Sequence, residues 1–425
     1  LQSIRSISRR GMLGAAGAAG AAGLLAACGS HTGRGGDDGG GGSGPRLSQW
    51  YHQYGEAGTE QAVERYAAAY RKARVSVQWR PGNYDQQTAA ALLTKSGPDV
   101  FEGSPTLDQI QGGQVADLTA LLDGVKDDFN PAVLAPKTYR GKIWGVPQVI
   151  DTQFLYYRKS LLKDAGVEPP TTLDALVDAA GRLTTKKVKG LFLGNDGGAS
   201  VLGGTPLNAA GLQLVTEKGT VGFDDPAAAR TLAKLQLLHR HDSLLLGAPA
   251  DWSDPSAFLQ GLTAMQWSGL WALPAVRKEL GDDFGVLPFP KDGSAGRPAV
   301  PVGAYGSAVN AHSAQVAAAK DFVRWLWVER TDYQEDFALS YGFHIPARIS
   351  LAEKAAKLKN GQAADVVRFT TDHGHAQPLL WTPVSQAAYQ DALNRIIRGG
   401  ANPESELRTV VRKVSAELHR VAGKR

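Results

Sequence analysis

The chain has 425 residues, enough for two to three domains at about 100–200 residues each. Hydrophobic residues make up 43% and charged residues 20%, a globular balance that excludes wholesale disorder. The net charge of +5 drops to +2 without Arg5, Arg9 and Arg10, which fall in a predicted signal segment over 1–27. So small an excess does not imply a nucleic-acid or acidic-lipid partner, and no nucleic acid is expected. The single cysteine, Cys28, excludes an intramolecular disulfide and any metal cluster held by several thiolates.

The arginines precede an Ala/Gly-rich apolar stretch over 12–27, too short and too weakly apolar for a membrane span. Ser8-Arg9-Arg10-Gly11-Met12-Leu13 resembles the twin-arginine export signal. Leu25-Ala26-Ala27-Cys28 resembles the lipobox of bacterial lipoproteins, in which the cysteine carries the lipid and becomes the mature N-terminus. Nine of the sixteen residues 29–44 are Gly, so 28–46 reads as a flexible tether that buries nothing.

Beyond the tether, strand and helix patterns alternate. Residues 47–51 read as a strand and 59–72 as a helix, with Ala62, Tyr66, Ala69 and Tyr70 at helical spacing. A strand over 75–79, a helix over 84–94 and a buried strand over 98–101 follow. This β-α-β-α-β opening predicts a parallel sheet with helices on both faces. A short helix is predicted over 117–123, a hairpin over 141–147, a strand over 152–157 and a helix over 159–165. Thr171 or Thr172 caps a helix over 173–183. Further helices fit 227–239, 255–262, 314–328 and 386–398. The last, 404–421, aligns Leu407, Val410, Val411, Val414 and Leu418 on one face.

Signatures of catalysis are missing: no G-x-x-x-x-G-K-[ST], no G-x-S-x-G, no H-E-x-x-H. His373 and His375 beside Asp372 read as an exposed polar loop rather than a metal site, and no cofactor is predicted. Aromatic residues beside polar turns stand out instead. Trp50 to Tyr54 ends the first strand, where open α/β sheets bind ligands. Asp251-Trp252-Ser253 and Trp267-Ser268-Gly269-Leu270-Trp271 add indoles, as does Trp381. Flat aromatic faces with hydrogen-bonding neighbours suit sugar rings; core packing is the competing role for each tryptophan.

Several stretches, in order, resemble the family 1 extracellular solute-binding proteins, receptors of carbohydrate ABC transporters. They are Lys95-Ser96-Gly97-Pro98-Asp99-Val100-Phe101, Tyr139 to Pro147, and Leu155-Tyr156-Tyr157-Arg158-Lys159-Ser160-Leu161-Leu162 with Pro169-Pro170-Thr171-Thr172. Phe258 to Met265 with Gly269-Leu270-Trp271, Val286 to Pro290, and Ala318 to Leu326 complete the series. Leu173 stands where the family pattern has Trp.

The resemblance implies an α/β, two-lobe periplasmic-binding-protein-like fold (type II), with discontinuous domains joined by hinge strands. The first lobe would hold 47–150 and 303–350, the second 151–302 and 351–425. Crossings are expected near 148–153, 300–303 and 349–351. It implies a non-catalytic, monomeric receptor, lipid-anchored through Cys28 on the outer face of the cell membrane. That receptor would close on a sugar and hand it to permease subunits. A polyamine or iron-complex receptor, or a surface glycosidase, is the alternative. Expected ligand contacts are Trp271 and Trp252, with His52, Glu102 and Asn195 as polar partners because each follows a strand-like run.

Overall fold

The computed structural model describes residues 44–94, 96–303, 305–341 and 343–423. The signal segment 1–27 with Arg9 and Arg10, Cys28, the tether as far as residue 43, and Lys95 lie outside the described residues.

In chain order the strands are β1 (Arg46–His52), β2 (Arg74–Arg80), β3 (Val100–Gly103), β4 (Thr138–Tyr139), β5 (Lys142–Ile143), β6 (Val146–Pro147) and β7 (Val149–Arg158). Then come β8 (Lys189–Phe192), β9 (Thr263–Gly269), β10 (Phe284–Leu287), β11 (Val300–Gly303), β12 (Gly306–Val309), β13 (Ile345–Pro346) and β14 (Gly374–Ala376).

The first sheet has the order β2-β1-β3-β12-β6. β1 pairs parallel with both β2 and β3, as the alternating opening predicted. Parallel neighbours need crossovers, and the helices Thr59–Ala69 and Tyr84–Leu92 supply them. β12 enters antiparallel between β3 and β6. The hairpin β4–β5 turns through Arg140 (φ 51°) and Gly141 (φ 73°); two left-handed residues match the twist of the paired strands.

The second sheet has the order β14-β11-β7-β9-β8, with β10 and β13 also on β7. β7 takes different partners along its length. Val149 and Ile150 pair with β13, Asp151 and Thr152 with β11, and Gln153 to Tyr157 with β9. This mixed α/β, two-lobe architecture is the expected fold class.

One hydrophobic core runs from Tyr51 and Tyr66 of the first lobe through Ile150 to Phe154 and Phe284 of the second. Another packs Leu173, Leu176 and Ala180 against Trp267, Tyr389 and Leu393. Helix Leu173–Leu183 has its predicted bounds, with Thr172 Oγ1 accepting from the Ala175 amide at 3.1 Å. The predicted helix over 255–262 shrinks to Ser256–Leu259, because Gly261 (φ 71°) turns the chain into β9. The one over 314–328 is α-helical over Val316–Arg324 and widens to a π-helical turn over Trp325–Glu329. Residues 349–351 open helix Ile349–Lys354.

Candidate functional site

Side chains two apart on a strand share a face, so Asp151 and Gln153 of β7 point the same way. They form part of the lining of a cavity of about 920 Å³, with Gly303 of β11 and Tyr305 just beyond it. Ser104 and Tyr139 wall it from the first lobe; Thr205, Asn208, Arg297 and His375 wall it from the second. A second cavity of about 620 Å³ shares Ser104, Gly303 and Tyr305. A third, about 270 Å³, lies among His52, Asn83, Asp85 and Tyr305. Tyr305 therefore borders all three.

Two histidine–carboxylate pairs sit at these cavities. His52 Nδ1 lies 2.5 Å from Glu102 Oε2. The Tyr54 hydroxyl donates to the other oxygen of Glu102, which is 1% exposed. Burial disfavours a charge on His52, but the Glu102 carboxylate outweighs it and raises the pKa. His344 Nδ1 lies 2.5 Å from Asp151 Oδ1, and its Nε2 lies 3.6 Å from Glu56. His344 follows the same logic: burial opposes protonation, yet Asp151, Glu56 and Glu102 raise its pKa. Buried charges are tolerated when paired in this way.

Burial lowers the pKa of two more basic groups. Burial pushes Lys137 down to about 8, against the pull of Asp151. Its ammonium donates to the Val133 carbonyl at 3.4 Å. Burial pushes His375 down to about 4, leaving a neutral ring with Nε2 3.5 Å from Thr205 Oγ1. His375 is a cleft residue on β14, not part of an exposed loop. Among the described residues, no group of three His, Cys, Asp or Glu side chains could hold a metal ion.

The expected ligand residues fall in three places. His52 borders the third cavity and Glu102 the second. Asn195 lines none of the cavities described above; its amide donates to the Ala248 carbonyl (3.0 Å) and accepts from the Ala248 amide (2.8 Å). It ties two loops together at the end of β8. Trp252 and Trp271 meet edge to face, ring centres 5.7 Å apart, and Trp271 Nε1 donates to the Ser253 carbonyl at 2.9 Å. The Trp271 ring covers Gly269, where a Cβ would lie 2.0 Å from the indole. Gly269 pairs with Gln153, which lines the cavity of about 920 Å³, but neither indole lines it. Trp267 is core, 0% exposed, whereas Trp381, 3% exposed, also borders the second cavity.

The sequence pattern of the bacterial extracellular solute-binding proteins matches residues 55–327. The chain belongs to this family. A probable ABC transporter-binding protein of Deinococcus radiodurans is 27% identical to this solute-binding protein over 57% of the chain, which spans 60% of that relative's length. The maltodextrin-binding protein MdxE of Bacillus subtilis is 25% identical over 67% of the chain and 69% of its own. Among solved structures, the GacH receptor of Streptomyces glaucescens superposes with a TM-score of 0.75 at 24% identity, covering 88% of this chain and 99% of its own. A solute-binding protein of Thermotoga lettingae, solved with α-D-tagatose, has the same score at 19% identity, covering 88% and 100%.

Several cleft residues of this solute-binding protein escaped the reading of its sequence. Asp151 and Gln153 carried a usable signal: they sit at i and i+2 in a segment already expected to cross between lobes. Tyr305, two residues past the second expected crossing, carried the same signal. Arg297, Thr205 and His375 carried none as cleft residues, because only tertiary folding brings their segments to the cavity.

Proposed function

We propose that this protein is the sugar receptor of an ABC importer. The observation that carries the reading is the cavity of about 920 Å³ between the lobes, bordered by the crossing strand. Its walls mix acceptors (Asp151), amides (Gln153, Asn208), hydroxyls (Ser104, Thr205) and tyrosine faces (Tyr139, Tyr305). Such a set suits a polyhydroxylated ring, which offers donors and acceptors around its rim and C–H groups on its faces. The likeness to the maltodextrin-binding protein MdxE and to the GacH receptor, solved with acarbose, supports it.

The receptor binds without turnover. Its lobes comprise 47–150 with 303–350 and 151–302 with 351–425. It closes on the ligand by bending near 148–153 and 300–303, and permease subunits take the sugar from the closed form. Twin-arginine export and a lipid on Cys28 hold the monomer on the outer face of the membrane. Trp271 and Trp252 extend the aromatic surface at the cleft edge.

A cationic solute such as a polyamine is the second reading, favoured by Asp85, Glu102 and Asp151 at the cavities. Against it, His52 and His344 already pair with two of these carboxylates. A thermal-shift screen of mature protein against mono- and oligosaccharides and spermidine separates the two. Ligand at 100 times its Kd adds about 2.7 kcal/mol of apparent stability. A sugar hit with a smaller radius of gyration in solution scattering supports the receptor. A response to spermidine alone selects the second reading, and release of product from an oligosaccharide overturns both.

A further inference from the structure

The cleft is built from two unlike chambers. The first is polar, as described. The second, about 620 Å³, is walled by Phe101, Leu107, Val133, Pro136, Leu379 and Trp381. Four of these are almost fully buried: Phe101 at 2%, Leu107 and Val133 at 1%, and Trp381 at 3% exposure. They come from both lobes, Leu107 and Val133 from helices of the first and Trp381 from the segment after β14.

Of the three charged groups of this second chamber, two are turned to protein partners, and the third, Asp85, is exposed. Glu102 accepts from the Tyr54 hydroxyl and pairs with His52. Lys137 donates to the Val133 carbonyl. What remains for a ligand is largely hydrocarbon and aromatic surface.

The chambers adjoin. Ser104, Gly303, Tyr305, Pro378 and Leu379 border both. Tyr305 thus stands at the junction, with one polar and one apolar compartment beside it. A ligand in the first chamber that extends past Tyr305 meets the second. A free sugar offers hydroxyls on every side and gains little from hydrocarbon walls, whereas an alkyl or aryl substituent gains from them and loses nothing.

Resting on the sugar reading above, we propose that the second chamber receives an apolar aglycone carried by the sugar in the first. The solute is an amphiphilic glycoside, its sugar facing Asp151 and Gln153 and its alkyl or aryl group facing Phe101, Leu107 and Val133.

The test uses matched pairs: methyl and butyl glycosides of glucose, galactose, maltose and cellobiose, titrated calorimetrically into the mature protein. Each fully buried methylene is worth about fourfold in affinity. The butyl member of any pair that binds is expected to be at least about tenfold tighter, with a more negative heat-capacity change. Ala132 and Ala89 border only the second chamber of the two. Ala132→Phe fills it and is expected to erase the butyl advantage while leaving the methyl glycoside within about twofold. Ala89→Phe, at an exposed helix position, serves the same purpose with less risk to folding. Equal affinity for both members of each pair overturns the aglycone chamber and leaves the sugar receptor standing. So does a butyl advantage that survives both substitutions in folded protein. No binding across the whole panel overturns the sugar reading and the aglycone chamber together.

Discussion

Arg420 of helix Pro403–Gly423 donates two parallel hydrogen bonds to Asp108 of helix Leu107–Gln111, Nη1 to Oδ1 at 3.0 Å and Nη2 to Oδ2 at 2.9 Å. The pair joins the two helices across 312 positions of sequence. Beside it, Gln111 Nε2 donates to the Val421 carbonyl at 3.3 Å. Glu417, 6% exposed, holds the guanidinium from within its own helix and itself accepts from Thr382 Oγ1 at 2.7 Å. Fork-to-fork geometry fixes direction as well as distance, so the clasp specifies one lobe arrangement.

Both partners are more than a third exposed, so the clasp adds little to global stability. Its effect falls on the balance between open and closed lobes. Asp108→Asn is expected to raise the radius of gyration and speed ligand release, with the melting temperature nearly unchanged. High salt should mimic the substitution in the wild type. Scattering curves that coincide for variant and wild type would remove the clasp from closure.

The two histidine pairs set a pH window. His52 and His344 have folded pKa values above 6.5, so their pairing with Glu102 and Asp151 stabilises the fold fully below about pH 6.5. That contribution is lost as pH rises through the raised values, when Glu56, Glu102 and Asp151 face one another without compensating charge. The melting temperature should therefore fall as pH rises above about 6.5, and His344→Gln should flatten the decline. A variant that tracks the wild-type slope would show that His344 does not titrate there.

Tyr305 borders the three cavities described above, whereas Trp271 lines none of them. By analogy with bases stacked on aromatic side chains, losing such a face costs about 1–3 kcal/mol, or about 5- to 150-fold in Kd. Tyr305→Ala is expected to show that loss, and Trp271→Ala a smaller one. Titration of both variants with the sugar found by screening decides it; the reverse order would make the indole the primary platform.

Gly190 of β8 lies against helix Leu173–Leu183, and a Cβ there would sit 1.9 Å from the Ala180 carbonyl oxygen. The obstacle is backbone, so no side chain can turn aside. Gly190→Ala should destabilise by about 1–3 kcal/mol, as overpacked cores do. Denaturant unfolding measures it directly, and an unchanged midpoint would mean that strand and helix can separate without cost.

Export and anchoring are testable apart from binding. Cys28→Ala protein is expected in the soluble fraction after carbonate washing of membranes. Retention there would disprove a lipid on Cys28.

Local patterns alone determined much of the fold. Helix Leu173–Leu183, its Thr172 cap and the parallel β1–β2 and β1–β3 pairs follow from periodicity and capping chemistry, which act over a few residues. Ordered short motifs were enough to indicate the family. The cleft is a different kind of property. His52 touches Glu102 across 50 positions, and His375 comes to Thr205 across 170. No short-range pattern encodes such meetings. The same limit explains Asn195: following a strand-like run suggested a ligand contact, but only the packed loop shows its amide committed to Ala248. Trp267 was one indole among several by composition, and became core because its strand, β9, is buried along its whole length. Sequence periodicity sets which face of an element is apolar; tertiary packing decides what that face meets, and therefore which polar groups remain at the cleft.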